Sequence, residues 1–100
     1  MILYNVTVNV NEDIAGEWLH WMTDKHIPDV MATGLFKDYK IYKIISDDEG
    51  STFSVQYFLN SMEDYETYKK NFAPALQSEH SEKFKDKFVA FRTIMESVEK

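Results

Sequence analysis

The sequence predicts an α+β domain in which helices cover one face of an antiparallel sheet. Three observations carry this. Apolar and polar residues alternate with a period of two over four stretches, near residues 2–10, 36–45, 52–59 and 88–98. Between the first and second stretches, and again between the third and fourth, apolar residues recur at helical spacing. The second and third stretches are separated only by a short acidic loop containing glycine, which suits a hairpin. The order is therefore βαββαβ, and 100 residues suffice for one such domain over 1–100 but not for two.

Each element has its own local cause. Ile2, Tyr4, Val6, Val8 and Val10 alternate with Leu3, Asn5, Thr7 and Asn9, the pattern of a half-buried first strand. Asn11 or Asp13 is placed to cap a helix whose inner stripe is Ile14, Trp18, Met22 and His26. Pro28 interrupts that helix and Gly34 stops it. Phe36 to Ile45 and Thr52 to Leu59 form the hairpin, joined by Ser46-Asp47-Asp48-Glu49-Gly50-Ser51. Ser61 begins a capping sequence for the next helix, whose stripe is Tyr65, Tyr68, Phe72 and Leu76. Pro74 breaks it near Ala73 by removing one backbone donor. Phe88 to Val98 is the last strand, with Val89, Phe91, Thr93 and Met95 on one side and Ala90, Arg92, Ile94 and Glu96 on the other. This element order favours a ferredoxin-like sheet with the first and third strands central.

Composition narrows the function classes. Seventeen acidic against eleven basic residues give a formal charge of −6, and Arg92 is the only arginine, so no electrostatic footprint for nucleic acid exists. The same acidity, and the lack of an apolar run near the roughly 20 residues of a spanning helix, disfavour a membrane partner. Met1 leads directly into Ile2-Leu3-Tyr4 without the basic start of a secretory signal, and there are 0 cysteines. A cytoplasmic location is the expectation.

Assigning the more apolar residues to the helix-covered face places Tyr4, Val6, Val8, Phe53, Val55, Tyr57, Phe91 and Met95 there. Asn5, Thr7, Asn9, Ser54, Gln56 and Arg92 then fall on the opposite face, together with Phe36, Tyr42, Ile44, Phe58 and Ile94. A face mixing apolar and hydrogen-bonding groups calls for a cover, and a second copy about a two-fold axis supplies one. A homodimer is expected.

Trp18, Lys25-His26-Ile27-Pro28-Asp29-Val30-Met31 and Gly34-Leu35-Phe36 resemble the dimeric α/β-barrel superfamily, and the similarity of element order extends over nearly the whole chain. Phe91-Arg92-Thr93 further resembles an uncharacterised branch, a domain of unknown function. The superfamily includes cofactor-free monooxygenases, haem-degrading enzymes, lactone isomerases and dehydratases, so the resemblance implies a fold and leaves the reaction open. In the haem-degrading members it implies an asparagine on strand one, a tryptophan on the helix after strand three, and a later histidine. Asn5 and His80 match superficially, but Tyr65 or Tyr68 stands at the tryptophan position and alternation turns Asn5 away from the helices. No cofactor is expected.

His26 is the candidate catalytic residue, placed between the Trp18/Met22 stripe and Pro28, where a cavity between helix and sheet would shift its titration. The alternative is a histidine that only closes a helix end by bonding a free carbonyl. Tyr4, Trp18 and Tyr57, with Tyr39 beside them, are candidates to line the same cavity, although aromatic stripes at these spacings are more often core. Arg92 is the remaining ligand-binding candidate. A guanidinium on a covered face needs an anion, either Glu96, an acid of a second subunit, or a bound ligand. On this face assignment His26 and Arg92 lie on opposite sides of the sheet. Glu17, His20 and Asp24 form a solvated helix face and not a metal site, since one such set lacks ligands from other helices. Two functions follow: a cofactor-independent small-molecule enzyme of monooxygenase, isomerase or lyase type, or a non-catalytic dimer that binds a small ligand or a protein.

Overall fold

The computed structural model describes residues 1–99. Strand β1 spans Ile2–Val10, β2 Asp38–Ile44, β3 Ser51–Leu59 and β4 Phe88–Glu96, and the four form one antiparallel sheet in the order β2-β3-β1-β4. The first and third strands are central and both helical connections pack on one face.

The first connection opens with a 3₁₀ turn over Glu12–Ile14, continues as α1 over Ala15–Trp21, and passes through a π turn over Met22–His26 into α2, Ile27–Met31. Asn11 makes no side-chain capping bond, so the expected cap is replaced by the 3₁₀ turn. The predicted interruption at Pro28 is this π turn. Proline cannot donate to the carbonyl four residues back and its ring crowds that carbonyl. The chain widens one turn earlier, where the Ile27 N–H donates to the Met22 carbonyl five residues before it. Gly34 ends the connection at φ +79°, a left-handed geometry that glycine adopts without strain.

The second connection is α3, Met62–Asn71, and α4, Ala73–Lys83. Ser61 Oγ accepts from the Asp64 N–H at 3.2 Å, as the capping sequence predicts. Phe72 is the break between the helices and Pro74 sits in the first turn of α4, where its missing N–H costs nothing. Ile2, Tyr4, Val8 and Val10 of β1 and Phe53, Val55, Tyr57 and Leu59 of β3 form the inner sheet surface, covered by Trp18, Met22, Ile27, Val30, Tyr68 and Phe84.

The face assignment of β4 is corrected. Directly paired residues point to the same side of a sheet. Tyr4 pairs with Ile94, Val6 with Arg92 and Val8 with Ala90, so Arg92 and Ile94 lie on the helix-covered side. Phe91 and Met95 lie on the open side instead, with Val89 at 70% and Phe91 at 63% exposure. Alternation defines two sets of residues but not which set faces inward, and β4 carries apolar residues in both. Phe36 is also corrected. It precedes β2, escapes the alternation, and packs in the core with its ring 4.8 Å from Tyr68 and 5.3 Å from Tyr57.

Candidate functional site

Between the sheet and the two helical connections lies a cavity lined by Tyr4, Val6 and Val8 of β1, Val55 and Tyr57 of β3, and Ala90 and Arg92 of β4. Met22 and His26 of the π turn, Tyr68 of α3, and Gln77 and His80 of α4 complete it. About 30 Å³ of it can hold the centre of a water molecule. That is room for one or two waters as the side chains stand.

His80 is held in one protonation state by a neighbour outside the lining. The fully buried Trp18 donates its Nε1–H to His80 Nε2 at 2.8 Å. Nε2 is therefore the lone-pair nitrogen and the ring proton sits on Nδ1. Burial, then His26 and Arg92, push its pKa down to about 4. Protonating Nε2 would set two donors against each other, so the Trp18 bond and the desolvation act in the same direction.

His26 ends the π turn and stands with its ring 5.8 Å from His80 and 5.2 Å from Trp21. A regular α-helix places successive residues 100° apart, and the widened turn reorients the side chain that closes it. Its Nδ1 is buried with no hydrogen-bond partner, the one such side-chain atom among the described residues. Burial lowers its pKa, against a smaller upward pull from Glu79 and Asp29. Those carboxylates are occupied by Lys25, 2.6 Å from Asp29 and 3.6 Å from Glu79. No bond from His26 to a helix-end carbonyl is present among the described residues, so the helix-closing role is not the one its ring performs. A neutral imidazole nitrogen left unpaired costs roughly 1–3 kcal/mol, and in a cavity wall that is capacity for a water or a ligand.

The polar side of the cavity is a tyrosine cluster joined to Arg92. Arg92 Nε donates to the Tyr4 hydroxyl oxygen at 3.1 Å. Burial raises the Tyr4 pKa, and Arg92 opposes the shift. Tyr57 stacks on Tyr4 at 5.9 Å and Tyr68 packs tilted against it at 5.7 Å, and burial raises both of their pKa values. All three phenols keep their protons at neutral pH.

Four of the six residues singled out in the sequence, His26, Tyr4, Tyr57 and Arg92, meet in this cavity. The expected separation of His26 from Arg92 by the sheet is thus overturned, through the reversed faces of β4. Trp18 does not line the space but stands behind His80, and Tyr39 lies on the edge strand outside it. Glu96 does not pair with Arg92, since among the described residues no carboxylate lies within 4.0 Å of the guanidinium. His80, Gln77 and Tyr68 are the polar lining residues that sequence reasoning left out as site residues. For Gln77 and His80 the signal is the spacing of Ala73, Gln77, His80 and Phe84, every third or fourth residue along and just past α4, which marks one inward stripe. Asn5 faces the open side, bonded to Ser54 and Thr7, as alternation required. His20 pairs with Asp24 at 2.8 Å on the exposed helix face, and no group of three metal-ligating side chains occurs among the described residues.

Residues 1–98 match the family described as "Domain of unknown function (DUF4286)". The chain belongs to the DUF4286 family. No curated protein matches it. Among solved structures it is similar to a dimeric ferredoxin-like protein from an uncultured marine organism, at 14% identity and a TM-score of 0.72, covering 99% of this chain and 95% of that one. An antibiotic biosynthesis monooxygenase shares 8% identity at a TM-score of 0.66, over 99% and 100% of the two chains. The hydroxynitrile lyase of Passiflora edulis shares 12% at 0.61, over 99% and 97%. At such identities the DUF4286 chain shares the fold with these proteins and nothing more specific.

Proposed function

We propose that this DUF4286 protein is a cofactor-independent small-molecule enzyme that moves a proton on a compact carbonyl or phenolic substrate, with His26 as the general base. The single observation behind this is the buried, unpaired His26 Nδ1 in a wall of the cavity that also holds the Tyr4–Arg92 pair. A neutral imidazole takes the proton from a C–H beside the carbonyl and becomes imidazolium. The electron pair moves onto the carbonyl oxygen, where Arg92 and the tyrosine hydroxyls stabilise it as an enolate. Returning the proton to another carbon completes an isomerisation; collapse of the enolate to a C=C bond with loss of a β leaving group, which takes the proton back from the imidazolium, completes a lyase reaction.

A second copy completes the molecule in this proposal. Tyr42, Ile44, Val89, Phe91 and Met95 leave an exposed apolar margin around the polar Asn5–Ser54–Gln56 ladder on the open sheet face. A mixed surface of this kind is suited to burial against itself, and one structural neighbour is a dimeric protein of the same fold. We place this single domain in the cytoplasm. Among the described residues no helix is long and apolar enough to cross a membrane.

Deuterium exchange tests the enzyme. The protein is incubated in D₂O with acetone, acetylacetone and acetophenone, and loss of the α-proton signals is followed by NMR. Exchange above the buffer rate that disappears in His26→Gln, with unfolding midpoints unchanged, is the expected result. Exchange equal in His26→Gln and the unaltered protein overturns the role of His26. Absence of exchange with every compound favours the non-catalytic binding module, to which the small volume of the cavity already lends support.

A further inference from the structure

Arg92 is the only charged side chain in the cavity lining. Its Nε is occupied by the Tyr4 hydroxyl, which holds the guanidinium plane at one edge and leaves the two terminal nitrogens without a hydrogen-bond partner among the described residues. Asp29 and Glu79 lie on Lys25, and among the described residues no carboxylate pairs with Arg92. A net charge of −6 makes an uncommitted arginine at a cavity more conspicuous, because acidic side chains outnumber basic ones by seventeen to eleven.

Apart from His26, the base of the proposed reaction, the other polar groups present hydrogen-bond donors. His80 carries its proton on Nδ1 because Trp18 occupies Nε2, the tyrosines hold their hydroxyl protons, and Gln77 adds an amide. The lining has no carboxylate acceptor. Such a cavity is complementary to an acceptor-rich guest with one negative charge, and the planar end of a guanidinium matches a carboxylate with two parallel bonds. Resting on the small-molecule reading of this cavity, we propose that its ligand is a small organic monocarboxylate whose oxygens sit on the terminal nitrogens of Arg92, with its body against the Tyr4, Tyr57 and Tyr68 rings.

Matched pairs of probes test this: acetate with acetamide, and benzoate with benzamide. Each is titrated at constant ionic strength while the side-chain signals of the three histidines are followed by NMR. The acids are expected to bind at least tenfold tighter than their amides and to move His26 and His80 but not His20. Arg92→Gln is expected to bring the acids down to the affinity of the amides. Arg92→Lys keeps the charge but loses the fork, and is expected to retain part of the preference. It serves as the test if the glutamine variant does not fold. Acids and amides that bind equally while moving His26, or a preference unchanged in both variants, would overturn the carboxylate proposal and leave the small-molecule cavity standing. Probes that move neither His26 nor His80 would overturn both.

Discussion

Lowering the pH from 7 to 4 loads a proton onto the unfolded chain that folded His80 refuses. The ordinary histidine value is 6.5 and the folded value is pushed down to about 4. His80 therefore contributes its full share of stability above pH 6.5, loses it progressively as the pH falls through the window between the two values, and levels off below about 4. At about 1.4 kcal/mol for each pH unit the gap amounts to about 3 kcal/mol, a large part of the stability of a small domain. His80 is only 8% exposed, so little of this is lost to solvent screening. Urea unfolding of the unaltered protein and His80→Gln at half-unit steps isolates the effect, because glutamine preserves an acceptor for the Trp18 N–H and cannot be charged. The stability of the unaltered protein should fall relative to the variant by about 3 kcal/mol between pH 7 and 4. Parallel curves, or an unaltered protein that gains on the variant as the pH falls, would refute the tautomer lock.

Trp18→Phe removes the donor to His80 and part of a ring packed 4.9 Å from Phe53, so we expect a loss of about 2–4 kcal/mol in urea unfolding. In the same variant His80 should accept a proton at a higher pH, read from its NMR titration. Gly50→Ala would place a Cβ 2.6 Å from the Val10 carbonyl oxygen in a residue at φ +78°, and should cost at least about 1–3 kcal/mol, seen as a lower melting temperature. Phe91→Asp on the open sheet face should yield a folded monomer by sedimentation at a concentration where the unaltered protein is a dimer. An unaltered protein already monomeric at high micromolar concentration would contradict the sheet-face pairing. Ser61→Ala should cost about 1 kcal/mol through the lost cap on Asp64 N–H, a change measurable by denaturant midpoint.

The order of elements was legible because each strand and helix announces itself locally. The period of two in β1, the Ser61 cap and Gly34 each act within a few residues, and each has its expected counterpart in the fold. Pro28 and Pro74 marked breaks correctly, although the π turn over Met22–His26 was not foreseen, since a proline states that a helical bond is missing and not how the chain absorbs it. The cavity was half legible. Tyr4, Tyr57 and His26 follow from stripes that a single sequence displays. Arg92 could be recognised as a charge needing company, but its side of the sheet depends on register with β1, which no property of residues 88–98 alone determines. His80 was hidden for a related reason. Its meaning comes from Trp18, sixty-two residues away, and a hydrogen bond between distant elements leaves no local pattern.

The most direct test of the central claim is the long-range ¹H–¹⁵N spectrum of the three histidines at pH 7, taken alone and with acetate or benzoate. The account predicts that His80 appears as the neutral Nδ1–H form, that His26 is neutral, and that both move on addition of the probe while exposed His20 stays in place. A cationic His26, an His80 protonated on Nε2, or probe-induced movement of His20 alone would contradict it.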